Sequence, residues 1–161
     1  MIKFSINALL WFAALGCGVI AGVFFAFSTF VMTALDRSGQ VHGVLAMNSI
    51  NVTILQSLFM PIFFGTTLAS LALAVLSLLR WSEPGAMPML AGGLIYVVGM
   101  FGVTMFCNVP LNNALAAVDP ASAGATPVWA QYLKDWTLWN HVRTIASLVA
   151  TGLFILALRV R

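Results

Sequence analysis

Apolar positions fill this chain in four long runs, and polar positions gather in the short segments between them. The first run, 6–35, holds no charged residue. As a helix it would reach about 43 Å, more than the roughly 30 Å of a bilayer's hydrocarbon core, so it must tilt or project. Within it Ala14, Gly18, Gly22 and Ala26 recur every four residues, a small-residue stripe suited to close approach by another helix. After a polar loop at 36–43, the run 45–79 predicts a second helix with a polar start. Pro61 lies inside this run and predicts a kink or the helix's true beginning, because proline lacks a backbone donor. A turn at 80–88 leads to the glycine-rich third run, 89–107. Pro110 disfavours helical geometry at Val109, so the third helix is expected to stop there. The segment 118–128, small residues with two prolines, predicts a mobile loop suited to a lid. Trp129, Tyr132, Leu133 and Trp136 then share one helical face. They predict a short interfacial helix before the last run, 136–160, at the depth where Trp and Tyr concentrate.

The pattern is that of a single all-α domain over 1–161, an integral membrane four-helix bundle, and the composition agrees. Of 161 residues, 61% are hydrophobic and 7% charged, against about 25% charged in a soluble domain. The first run is far longer than the apolar region of a signal peptide, so it reads as a retained span. The net charge of +3 comes from seven scattered basic residues, which form no stripe for nucleic acid. Lys3, Arg80, Arg159 and Arg161 fall on the side of the two termini. The positive-inside rule therefore expects both termini in the cytoplasm and the protein in a bacterial inner membrane. Cys17 and Cys107 fall at different depths, too far apart for a disulfide.

Polar side chains within the spans collect at one end. Topology brings together the end of the first span, the start of the second, the end of the third and the start of the fourth, at the surface away from the termini. Ser28, Met47, Asn48, Asn51, Asn108, Asn112, Asn113, Trp136, Trp139, Asn140, His141 and Arg143 all lie there. Trp136, Trp139, Asn140 and Arg143, at i, i+3, i+4 and i+7, share one face. Buried polar groups at membrane depth need partners. The cluster is therefore either a hydrogen-bonded structural knot or an outward-opening pocket for an electron-rich or anionic small molecule. Arg143 has no carboxylate near it in sequence, which favours the pocket. A knot would suit a non-enzymatic quinone or lipid binder, a partner subunit or an oligomeric scaffold, and the glycine stripe would serve a homo-oligomer. No dinucleotide fingerprint is present, and four carboxylates without a Glu-x-x-His pair do not make a di-iron site. Two histidines are too few for a typical zinc centre. No cofactor is expected, although haem or copper held by His42 or His141 with Met47 or Cys107 stays open.

At these positions the chain resembles the anthrone oxygenase-like family of small membrane proteins. The resemblance rests on Met47 and Asn51, on Asn108-Val-Pro-Leu-Asn112 with Leu115, and on Trp129, Tyr132, Trp136, Trp139-Asn140 and Arg143. It implies a four-helix membrane protein and, in a few fungal members, insertion of oxygen into an anthrone to give an anthraquinone. Cofactor-free oxygenation of a phenolic substrate needs a base, donors for the developing anion and a dry aromatic pocket. Arg143, Asn140, Asn108 and Asn112 are the expected donors, and His141 or Asp135 the expected base. Trp136, Trp139 and Phe25 are the expected ring sandwich, with Ser28, Met47 and Asn51 on the wall.

Overall fold

The computed structural model describes residues 2–161, with side chains from Ser5 onward; the side chain of Lys3 lies outside the described residues. Helix α1 covers 2–37: Ile2–Ala26, a π turn at Phe27–Val31 and a last α-helical stretch at Met32–Arg37. Gly39, at φ +87°, takes the left-handed geometry that reverses the chain. Helix α2, Gln40–Thr53, runs into a 3-10 turn at Ile54–Gln56. Helix α3 is Phe59–Leu79, helix α4 is Ala86–Ala116 and helix α5 is Ala125–Val160. Helices α1, α3, α4 and α5 are long and apolar enough to cross a membrane. The protein is an all-α integral membrane bundle of four spans, and α2 packs against the far ends of α1, α4 and α5.

Several boundaries differ from the sequence expectation. Pro61 marks a beginning, not a kink: it is the third residue of α3, where its missing donor costs no hydrogen bond. Ser57 caps this start, its Oγ accepting the Phe59 N–H at 3.2 Å. Helix α4 does not stop at Val109. It passes through two π turns, Val97–Gly102 and Thr104–Asn108, and resumes as Val109–Ala116. The Val109 N–H bonds back to the Thr104 carbonyl in π register, and Pro110 falls in the first turn of the stretch that resumes, where a missing donor is tolerated. The expected interfacial helix is not separate, because no glycine or proline interrupts 129–151. It forms the first part of α5, a single helix of 36 residues. The segment expected to be a free lid is fastened to α2. Gln40 donates to the Pro120 carbonyl at 3.2 Å and accepts from the Thr126 hydroxyl at 2.8 Å.

The small residues also work differently from the expected stripe. A Cβ at Gly18 or Gly22 would meet nothing within 4 Å. The close approach of α1 to α3 is at Gly16 instead, whose missing Cβ leaves room for the Thr66 hydroxyl. Gly16 and Gly18 lie about 200° apart around the helix, so only one of them can face α3. Helix α4 meets α3 at Gly93, where a Cβ would stand 2.5 Å from the Ser70 carbonyl.

Helix α3 has 21 residues, about 31 Å, close to the thickness of a hydrocarbon core. The other spans overshoot its Phe59 end, and the molecule has two cores in consequence. One lies along α3 and includes Leu10, Cys17, Leu73, Tyr96 and Phe154. The other lies beyond it, under α2, and contains Met32, Val44, Met47, Leu115, Trp129, Tyr132 and Trp136. Cys17 is buried in the first core and Cys107 is half-buried; both are free.

Candidate functional site

The two cores meet at a belt of polar side chains, with Arg143 at its centre. Arg143 is 4% exposed. Its guanidinium carbon lies 4.1 Å from the centroid of the Phe24 ring and 5.0 Å from that of Trp136, a double cation–π contact. Its Nη2 donates to Asn140 Oδ1 at 2.7 Å, and its Nη1 makes a long bond of 3.4 Å to Thr104 Oγ1. Its Nε is buried without a partner. Among the described residues, the ion pairs join Glu83 to Arg80 and Arg161 at the opposite end; none involves Arg143. A buried cation with neutral neighbours is costly in a low dielectric.

Asn140 holds this cation in place. It is fully buried, and its Nδ2 donates to the Phe24 carbonyl and to Ser28 Oγ, both at 2.7 Å. Ser28 in turn meets Thr144 at 3.3 Å. Thus α1 and α5 are tied together through the residue that orients Arg143. The Phe24 carbonyl lies where α1 enters its π turn, the sort of site at which π geometry redirects backbone groups. Asn108 clamps α4 to α5 by donating to the Trp136 carbonyl at 3.1 Å.

On the other side of Trp136 the aromatic rings of α5 form a ladder. Trp129 and Tyr132 stack at 5.8 Å and 12°, and Tyr132 and Trp136 at 5.8 Å and 21°. Asn112 Oδ1 accepts from both the Tyr132 hydroxyl and the Trp136 indole N–H, each at 2.8 Å. These two bonds lock the last two rings to α4. Asn51 approaches the Tyr132 hydroxyl, yet its own Nδ2 completes no hydrogen bond.

Arg143, Trp136, Asn112, Asn51 and Met47 line one cavity of about 270 Å³, together with Phe24, Phe27, Phe59, Phe63 and Thr104. This is near the lower end for small-ligand sites. The wall is mostly apolar and aromatic, with one charge and a few amides. Unspent donors remain on two lining residues, at Arg143 Nε and Asn51 Nδ2.

The sequence-expected residues therefore divide. Met47, Asn51, Asn112, Trp136 and Arg143 come together on the cavity wall. Ser28, Asn108 and Asn140 stand behind it and brace it. Phe25, Trp139 and His141 do not reach it: all three are exposed. The cause is helical phase. Phe25 follows Phe24 by one residue and so points about 100° away; Trp139 and His141 flank Asn140 in the same way. Asp135 is also outside, accepting from Gln131 at 3.3 Å. No histidine or carboxylate lines the cavity, and no group of three or more His, Cys, Asp or Glu side chains converges among the described residues. Sequence reasoning missed Thr104 and chose Phe25 over its neighbour Phe24. Phe24 and Thr104 each precede an expected residue by four positions (Ser28 and Asn108), so the i, i+4 rule held the signal.

Compared with known families, the chain matches one described as anthrone oxygenase over residues 56–153, more than half its length. That stretch contains α3, α4 and most of α5, and hence Thr104, Asn112, Trp136, Asn140 and Arg143. No curated protein and no solved structure matches the chain.

Proposed function

The chain belongs to the anthrone oxygenase family, and from that premise we propose that its cavity binds a flat, acidic aromatic compound and promotes its oxidation by O2. The observation that carries this reading is the buried Arg143, with no carboxylate partner, on the wall of an aromatic cavity. Such a charge favours an occupant that brings the missing negative charge. An anthrone meets the requirement. Loss of a proton from its central methylene gives a delocalised anion with its charge on the ketone oxygen. Arg143 and Asn51 offer donors to that oxygen, and Trp136, Phe24 and Phe59 offer ring faces.

The balance of the reaction is simple. The first methylene proton passes to solvent, and the anionic carbon adds O2 to give a hydroperoxide. Loss of the second C–H proton breaks the O–O bond, forms the new C=O and releases water. The carbon gives up four electrons and O2 takes up four, so O2 is the only oxidant needed. The lining supplies no base, so ionisation relies on the substrate's own acidity, increased by the Arg143 charge. The role sketched for His141 from sequence has no place in this scheme. No metal or prosthetic group is required, so a chelator should leave turnover unchanged.

The test is conversion of anthrone by the purified protein, read as anthraquinone absorbance and oxygen uptake. One O2 should be consumed per anthrone, and Arg143→Met should lose about a hundredfold in rate while staying folded. A wild-type rate no faster than buffer sinks the oxygenase reading. A second reading is favoured by the Asn140–Ser28–Thr144 network, which is that of a structural brace: the cavity binds such a molecule without turning it over. Saturable binding with no oxygen uptake would select it.

A further inference from the structure

We propose that the ligand enters this cavity sideways, from the hydrocarbon of the bilayer, through an apolar mouth between the α2–α3 break and α4. The proposal rests on the cavity being a binding site. Of the residues that line it, Leu55, Phe64 and Met105 are the exposed ones, at 63%, 47% and 43%. They mark the mouth, and none is polar. Leu55 and Phe64 stand on either side of the helix break at Ser57, and Met105 lines the same cavity from the second π turn of α4. Leu58 and Phe106, next in sequence to the lining residues Phe59 and Met105, are 81% and 83% exposed.

Depth supports the same route. Phe64 is the sixth residue of α3, so it lies about 8 Å along the axis from the Phe59 end. Because α3 matches the hydrocarbon thickness, that position falls inside the apolar layer. A mouth opening into water would set five large apolar side chains in water, whereas one opening into lipid sets them in their own solvent. The polar groups are all at the inner end: Arg143 is buried, and Asn51, Thr104 and Asn112 are half-buried. A molecule using this path crosses an apolar mouth before it meets a charge. It must therefore travel neutral and ionise only beside Arg143. This narrows the substrate class to lipid-partitioned, weakly acidic, flat phenols and excludes permanently charged acids dissolved in water.

Equilibrium affinity does not depend on the route, so the test is kinetic. The protein is placed in phosphatidylcholine nanodiscs and mixed with 1,8-dihydroxyanthraquinone, a three-ring phenol followed by its own visible emission. Met105→Trp and Leu55→Trp should slow both association and dissociation by about tenfold and leave Kd nearly unchanged. Met105→Ala, which widens the mouth and keeps a small side chain, should speed both. Wild-type exchange rates in all three variants would overturn the portal and leave the site standing. A weaker Kd without slower exchange would make these residues ordinary contacts and also overturn it. No saturable binding by the wild type, or unchanged binding by Arg143→Met, would instead overturn the site reading.

Discussion

Arg143 concentrates the argument because its surroundings satisfy only part of it. One nitrogen is well bonded to Asn140, one weakly bonded to Thr104, and one is unpartnered. The Phe24 and Trp136 rings supply attraction without removing the net charge. Asn140 is the side chain on which this arrangement depends. Asn140→Ala removes two donors to α1 and the acceptor for Arg143 together. We expect it to lower stability by about 2–3 kcal/mol, measured by denaturant unfolding in detergent. A change under about 0.5 kcal/mol would show that the network carries no net stability. Asn112 makes a cleaner pair of variants. Asn112→Leu strands the Tyr132 hydroxyl and the Trp136 N–H, and should both destabilise the protein and disturb tryptophan emission. Asn112→Asp keeps the acceptor oxygen and should restore the emission spectrum. The pairing of Asn140 with Arg143 was legible from their i, i+3 spacing. The reach of Asn140 to Phe24, 116 residues away, was not.

Helices in this chain are set by hydrophobic length, but their irregularities decide the site. The π turn of α1 contains Ser28 and starts three residues after Phe24, and the second π turn of α4 contains Thr104, Met105 and Asn108. Without these turns the residues beyond them would rotate away from α5. A sequence read at a uniform 3.6 residues per turn cannot foresee them. Phe25 was expected where Phe24 stands for a simpler reason: the two are neighbours in the regular part of α1, and nothing in the sequence says which of them faces α5. Close packing gives a sharp contrast between two glycines of α1. Gly16→Ala would drive a Cβ into the Thr66 hydroxyl, whereas Gly18→Ala would meet open space. Gly16→Ala is expected to cost about 1–3 kcal/mol of stability through overpacking. Gly18→Ala should be neutral or slightly stabilising, since alanine favours a helix over glycine. Equal losses at both positions would mean that the α1–α3 crossing is not where it is described.

In the whole molecule, three spans outrun the fourth, and the surplus length builds a second core capped by α2. The cavity lies at the joint between the cores, so its walls come from every span and from α2. The other end is closed by ionic contacts, with Glu83 bridging Arg80 and Arg161 at 2.8 and 3.3 Å. Basic residues gather at that end, from which the positive-inside rule expects it to face the cytoplasm. The prediction is checked with a membrane-impermeant maleimide on intact cells, in a Cys107→Ser background. His42→Cys should label from outside and Arg159→Cys only after lysis; the reverse pattern would invert the topology. Glu83→Gln should cost no more than about 1 kcal/mol, because Glu83 and Arg80 are both about a third exposed and the amide keeps an acceptor oxygen for the buried Arg161 side chain.

Apolar run length and the scarcity of charge determined, without any coordinates, that this is an all-α membrane protein of four spans. They did so because a bilayer imposes one dominant constraint, burial of about twenty apolar residues per crossing. The clustering of amides, indoles and Arg143 at one end followed from counting spans. Which of those side chains share a wall was decided only by tertiary structure. Helical phase shifts by 100° per residue, and three π turns and one break move it further. Phase put Phe24 rather than Phe25 over Arg143 and left His141 outside, and the helix break at Ser57 left Leu55, Phe64 and Met105 as the exposed edge of the cavity.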